Sequence, residues 1–202
     1  ISNTFAENDH LSCVTKIIFM LYEVDNIVYK KAETIGVRLE DLKVFPRKTI
    51  PALCEWLGIE ESESLYEMTA QGKKWWGDPA SPNYEEDGMN AFGKKSLKRK
   101  VGSVFSEKDQ FILSTLFYPF SARFGYVKEN LEQFKSDLQA IRPLLDEMFD
   151  FEKSLAEKRQ LTPDKFMRSG PYLYLRSYLI ERWNTLNVYH TYPNMIKPLK
   201  IY

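Results

Sequence analysis

A chain of 202 residues that is 44% hydrophobic and 14% aromatic suits one ordinary globular domain, or a domain with an appended piece, and is too apolar for disorder. Its 28 Lys plus Arg balance 28 Asp plus Glu, so no overall field draws it to nucleic acid or to an anionic membrane, and any charge-based function must be local. Two cysteines, Cys13 and Cys54, are too few for a disulfide framework or a four-ligand zinc site and form no CxxC pair, which fits a reducing, cytoplasmic compartment.

The apolar run Ile17 to Leu21 is far short of the ~20 residues that cross a bilayer, and neither a basic n-region nor a small-residue cleavage site is visible. The start reads as a truncation. Val14, Ile17, Ile18, Leu21, Tyr22 and Val28 recur mostly at three- and four-residue intervals from Leu11, after Asn8 and Asp9, which predicts a helix to about Lys31. Ile35, Val37 and Leu39 alternate across Gly36 and Arg38 and predict one short buried strand. Pro46 opens the next predicted helix, with Ile50, Leu53, Cys54 and Leu57 as its stripe and Gly58 as its stop. Pro51 falls within its first turns, where a missing N–H is tolerable.

From Glu60 to Phe105 periodicity fades, and Gly77-Asp78-Pro79 and Ser81-Pro82-Asn83 mark a long irregular stretch. Its Trp75, Trp76, Tyr84 and Phe92 argue for packing over something rather than for disorder. Ser106-Glu107-Lys108-Asp109 has capping-box spacing with Asp in the Glu position, and opens a helix to about Arg123 that Gly125 ends. Further helices are predicted over 131–140 and 143–158, from Thr162-Pro163-Asp164, and from Pro171 through Trp183, where Tyr172, Tyr174, Tyr178 and Trp183 read as packing. Pro193 and Pro198 and weak alternation from Leu186 predict an extended tail.

His10 and His190 are the only histidines, neither at a catalytic spacing from a Ser, Cys or acid, which argues against a triad or a histidine metal site; neither GxxxxGKS nor GxGxxG occurs. The sharpest local feature is Lys94-Lys95-Ser96-Leu97-Lys98-Arg99-Lys100-Val101-Gly102-Ser103, with five cations in the seven residues 94–100. Gly102 allows close backbone approach, Ser103 offers a hydroxyl, and the helix after Ser106 adds free N–H groups, a set that suits a phosphate. A charge run is also what a solvated loop looks like. The pair Glu40-Asp41 reads either as acids facing a crevice at a strand end or as local partners, with Glu40 on Arg38 or a nearby cation and Asp41 capping the turn.

Taken in order, Val37-Arg38-Leu39-Glu40-Asp41-Leu42-Lys43, Pro46, and Ile50-Pro51-Ala52-Leu53-Cys54-Glu55-Trp56-Leu57-Gly58-Ile59 resemble the R-[YL]-E-D-L-K … P … L … L-C-x-[FW]-L-G-I stretch of sulfotransferases, which use 3′-phosphoadenosine 5′-phosphosulfate (PAPS). Leu97 to Gly102 and Phe105-Ser106-Glu107 resemble the family's late basic loop and the helix start after it, and Phe124-Gly125-Tyr126 resembles its L-G-Y helix end. The resemblance covers about residues 30 to 126. It implies an α/β, P-loop-type sulfotransferase fold represented here by its mostly helical C-terminal portion, residues 1–126, with a helical extension over 127–202 suited to homo-oligomer or substrate contacts. It implies cofactor binding by Arg99, Lys100 and Gly102, with Lys98 as a neighbour, at the 3′-phosphate of PAPS and of its product adenosine 3′,5′-bisphosphate. Val101 makes this loop one residue longer than the family's Arg-Lys-Gly. Trp75, Trp76 and Tyr84 are expected to bind a small-molecule or glycan acceptor. The family's P-loop and catalytic base lie upstream of the matched part, so no catalytic residue and no metal ligand is expected here, and the N-terminal half of the same protein is the expected partner. The other reading is a non-catalytic helical interaction module derived from the same fold.

Overall fold

A computed structural model describes residues 33–67, 69, 70, 73, 74, 92, 105–191 and 196–201; the helix predicted over 11–31 lies outside them. The described chain is mostly helical, and its strands are two residues long. It divides into two compact units, residues 35–99 with 197–202, and residues 1–34 with 100–196.

In the smaller unit the predicted strand at 35–39 is replaced by one parallel bridge between Gly36 and Pro198. The Gly36 N–H donates to the Lys197 carbonyl and the Leu199 N–H donates to the Gly36 carbonyl, both at 2.8 Å. The strand stops because Leu39 already begins helix α1, Leu39–Val44, whose first turn carries Glu40 and Asp41 and whose last turn carries Lys43, the charge order a helix dipole favours. Helix α2, Pro46–Leu57, follows directly and ends at Gly58, left-handed with φ 67°, a conformation that strains any residue with a Cβ. Pro51 sits inside α2, in its second turn rather than its first, and withholds one N–H from the ladder. The helix persists because Thr49, Ile50 and Cys54 are buried on one side. The irregular stretch that follows contains a 3-10 turn, Glu63–Tyr66, and the antiparallel strands β1, Thr69–Ala70, and β2, Lys73–Lys74.

The larger unit is an all-helical cluster in its described part. Its elements are α3, Glu107–Leu116; α4, Tyr118–Arg123; α5, Leu131–Ile141; a 3-10 turn, Pro143–Asp146; α6, Asp150–Lys158; α7, Pro163–Met167; and α8, Gly170–Tyr189. Phe134, Leu138 and Ile141 recur along α5, and Tyr172, Leu175, Leu179 and Leu186 along α8; all are buried in one core with Ile112, Leu116 and Phe151. The helix predicted from Ser106 to Arg123 is broken at Phe117, because Pro119 has no N–H for the Thr115 carbonyl. The helix predicted over 143–158 is likewise interrupted. Glu147 and Phe149 are extended, and the excursion buries Met148 and Phe149, apolar area whose removal from water favours it. Gly125, with φ 68°, ends this helical pair as predicted. Helix α8 runs to Tyr189 rather than Trp183, because Leu186 is still a core residue, and the left-handed His190, φ 55°, closes it. The tail expected to be extended from Leu186 therefore begins later.

Candidate functional site

The residues expected to form the nucleotide loop, Lys98, Arg99, Lys100 and Gly102, and those expected to bind the acceptor, Trp75, Trp76 and Tyr84, lie outside the described residues, as do His10 and Cys13. Of the segments that carry the family resemblance, Val37–Lys43, Pro46, Ile50–Ile59, Phe105–Glu107 and Phe124–Tyr126 are described. Glu40 and Asp41 lie on α1 and not at the end of a buried strand. Asp41 Oδ2 stands 3.6 Å from Arg38 Nε, so the acid beside Arg38 is Asp41, where the spacing predicts Glu40 there and Asp41 as a cap.

A cavity of about 370 Å³ opens beside these helices. Its wall takes Leu42 from α1, Ile50 and Leu53 from α2, and Leu65 and Phe92 from the chain beyond. Cys54 contributes a buried thiol that is in no disulfide. Leu57 and Ile59 also border the cavity and are exposed, so it opens to solvent on their side. Among the described residues that line it, only Lys43 and Glu67 are charged.

The segment after Gly58 is held against α2 by Arg47, whose Nη1 and Nη2 donate to Glu63 Oε1 and Oε2 at 2.9 and 3.0 Å. The same guanidinium lies 3.7 Å from the centre of the Tyr66 ring. Planar forks of this kind fix orientation as well as distance, so Leu65 and Glu67 are carried to the cavity wall by a charged clamp on the outside of the unit. The Arg47 hydrogen bonds hold the Glu63 carboxyl below its usual range, while the hydrogen bond from the Tyr66 hydroxyl to Glu61 pushes that phenol up. Both groups are exposed, so these shifts describe the clamp and not a tuned catalytic group.

The larger unit contains a polar cluster that periodicity alone does not announce. Arg176 and Glu152 are buried at 6% and 0% exposure and form an ion pair. Arg176 Nη2 also donates to the Glu147 carbonyl at 2.8 Å, and its guanidinium lies 4.6 Å from the Phe149 ring centre and 4.5 Å from that of Tyr172. Glu152 Oε2 accepts the Phe149 N–H at 2.9 Å. Beside them, Asp109 is buried and accepts the N–H groups of Asp150 and Phe151 at 2.9 and 3.2 Å, so a side chain on α3 caps the start of α6. Ser106 accepts the Asp109 N–H at 3.2 Å, as its capping position predicts, and donates to Asp150 Oδ2 at 2.6 Å. Arg182 Nε donates to the Leu116 carbonyl at 2.8 Å, where α3 ends and leaves carbonyls without helical donors. Each of these contacts reaches the end of a helix or the turn beside it, with Arg176 and Arg182 donating from the middle of α8, so the cluster is architectural. Its signal was present in the sequence: Arg176 and Arg182 fall on the same face as Tyr172, Leu175, Leu179 and Leu186, where a solvated arginine has no place.

Of the predicted aromatic stripe, Tyr172 is buried, Tyr178 and Trp183 are half-buried against the core, and Tyr174 is exposed. Trp183 Nε1 donates to the Leu138 carbonyl at 2.7 Å. Among the described residues no group of three or more His, Cys, Asp or Glu side chains is arranged to hold a metal ion, and no described helix is long and apolar enough to cross a membrane. Comparison with protein-family models, with curated proteins and with solved structures finds no match to this chain.

Proposed function

We propose that the chain is the C-terminal portion of a PAPS-dependent sulfotransferase of α/β fold, supplying the loop that grips the 3′-phosphate of the donor and part of the acceptor pocket. One observation carries the reading: the segments 37–43, 46, 50–59, 97–107 and 124–126 match the family's segments in the family's order. Arg38 pairs with Asp41, Leu53 and Cys54 line the cavity beside α2, and Gly58 takes the left-handed turn.

In the proposed reaction the sulfur–oxygen bond to the donor phosphate breaks as a bond forms to an acceptor hydroxyl or amine, whose proton leaves to a base in the upstream half. The basic loop binds and orients the donor and takes no proton. Lys98, Arg99, Lys100 and Gly102 hold the nucleotide, and Trp75, Trp76 and Tyr84 flank the acceptor. Calorimetric titration of the complete protein with adenosine 3′,5′-bisphosphate tests this. Arg99→Ala and Lys100→Ala are each expected to weaken binding by about tenfold or more, the value of one charge-assisted hydrogen bond, with the larger loss at low salt. Unchanged affinity in both variants, or no binding by the parent, overturns the reading.

The second reading, a non-catalytic helical interaction module, draws on the outer surface of α8, where Leu173, Tyr174, Val188 and Tyr189 are exposed. It predicts no nucleotide binding.

A further inference from the structure

The stretch that follows Gly58 is held in place chiefly by charge. No residue from Ile59 to Glu67 is buried, and only Tyr66 is half-buried, so little apolar area ties it to α2. Ile59 keeps one backbone tie to the helix, its N–H donating to the Cys54 carbonyl at 3.0 Å. Beyond it, hydrogen bonds among the described residues turn inward: the Leu65 and Glu67 N–H groups donate to the Ser62 and Ser64 carbonyls, and the Tyr66 hydroxyl donates to Glu61. What reaches across from α2 is the Arg47 clamp, a fork on Glu63 with the Tyr66 ring against it. The Arg47 and Glu63 side chains are mostly exposed, and exposed pairs of this kind hold weakly. Gly58, left-handed at the near end, has no side chain to resist rotation there. Few buried contacts, an exposed clamp and a glycine at one end mark a segment that opens before the rest of its unit.

We propose that residues 59–67 form a hinged strap, latched to α2 by Arg47, whose opening uncovers the buried thiol of Cys54 and the apolar wall around it. Leu65 and Glu67 of the strap border the same cavity as Ile50, Leu53 and Cys54 of α2. While the clamp holds, Cys54 is 5% exposed; when it lets go, Leu65 and Glu67 swing away about Gly58 and that wall faces solvent. Because the clamp is ionic and lies on the outside, the open fraction rises with salt. The strap needs neither a nucleotide nor an acceptor, so it stands or falls apart from the sulfotransferase reading.

Cys54 reports the opening. In the full chain carrying Cys13→Ser it is the sole thiol, and its alkylation by N-ethylmaleimide, followed by intact mass, tracks the open population when opening and closing outpace the chemistry. Glu63→Gln keeps the size of the side chain and removes its charge, and is expected to speed alkylation about threefold. Arg47→Ala removes the ring contact as well and is expected to speed it about tenfold. Arg47→Glu combined with Glu63→Arg rebuilds the pair in reverse and should react more slowly than Arg47→Glu alone. At about 1 M salt, where the screening length is about 3 Å, the parent should approach the rate of Glu63→Gln, which itself should change little. Peptide-resolved hydrogen exchange should show 46–57 keeping its protection in every variant. Alkylation unchanged in both Glu63→Gln and Arg47→Ala overturns the proposal. So does a faster reaction matched by an equal loss of protection over 46–57, because α2 itself would then have loosened.

Discussion

The two units solve the problem of apolar surface in different ways. In the larger, helices α3, α5, α6 and α8 close on a continuous core, and the polar groups they bury are joined to one another: Arg176 to Glu152, Asp109 to the N-terminus of α6, and Arg182 to the C-terminus of α3. In the smaller, only Thr49, Ile50 and Cys54 are buried among the described residues of α1 and α2, while Leu39, Phe45, Leu57 and Ile59 stay exposed and a cavity opens between the helices. Ion pairing is also placed differently. The larger unit buries its central pair, whereas the smaller carries Arg47 and Glu63 on its outside at 64% and 79% side-chain exposure. Burial raises the stakes of every polar contact, so the larger unit is a scaffold that must be complete to stand, and the smaller is a surface on which something can bind.

The strongest way to break this contrast is Glu152→Ala. It leaves Arg176 buried without its carboxylate, a loss expected at about 3 to 5 kcal/mol. Peptide-resolved hydrogen exchange on the full chain should show protection falling across 105–191 while 35–67 keeps its own. An equal fall in both would mean that the two units unfold as one. The paired change Glu152→Met with Arg176→Met should recover most of the loss, because replacing both partners removes the unpaired charge.

Acid sharpens the comparison further, because two carboxylates of the larger unit titrate in opposite senses. Hydrogen bonds from Lys153 and Ser106 lower Asp150 to about 2. Its stabilising contribution is thus present above the ordinary carboxylate range and is lost as pH falls from about 4 toward 2. Asp109 is raised, chiefly by burial and against the pull of the Asp150 and Phe151 N–H groups. A raised carboxyl binds its proton more tightly in the folded form, so its contribution runs the other way and favours the folded state as pH falls through its folded value. The urea midpoint, followed by ellipticity, should therefore decline less steeply in acid for Asp150→Asn than for the parent, whereas Asp109→Asn should steepen the decline. Identical slopes in all three proteins would show that this knot of helix ends carries no linkage.

The smallest effect belongs to the smaller unit. A Cβ at Gly58 meets nothing within 4 Å, so Gly58→Ala is opposed by backbone strain alone, at about 1 kcal/mol. Exchange at 46–59 should rise with no change in the larger unit. A neutral result would mean that the end of α2 can relax out of its left-handed turn.

Much of the helical content was readable because its causes are local. Ser106, Asn130 and Thr162 accept the backbone N–H three residues on, and Gly58 and Gly125 end their helices with positive φ; each such effect acts within a turn or two of its own residue. The candidate site was less readable. Residues 37–59 match a pattern, but the alternation of Ile35, Val37 and Leu39 predicts a strand that does not form, since alternation over so few residues is outweighed by the acidic first turn of α1.

The amino-acid sequence by itself determined where most helices start and stop, which of their faces is apolar, and that residues 94–100 concentrate positive charge. Only the tertiary structure decided that the chain leaves its helical path at 147–149, which carboxylate and carbonyls the two buried arginines of α8 meet, that Gly36 pairs with Pro198, and that a cavity opens beside α1 and α2. Capping and periodicity are settled by near neighbours, whereas a buried charge, a bridge across most of the chain or an unfilled volume exists only once distant segments meet.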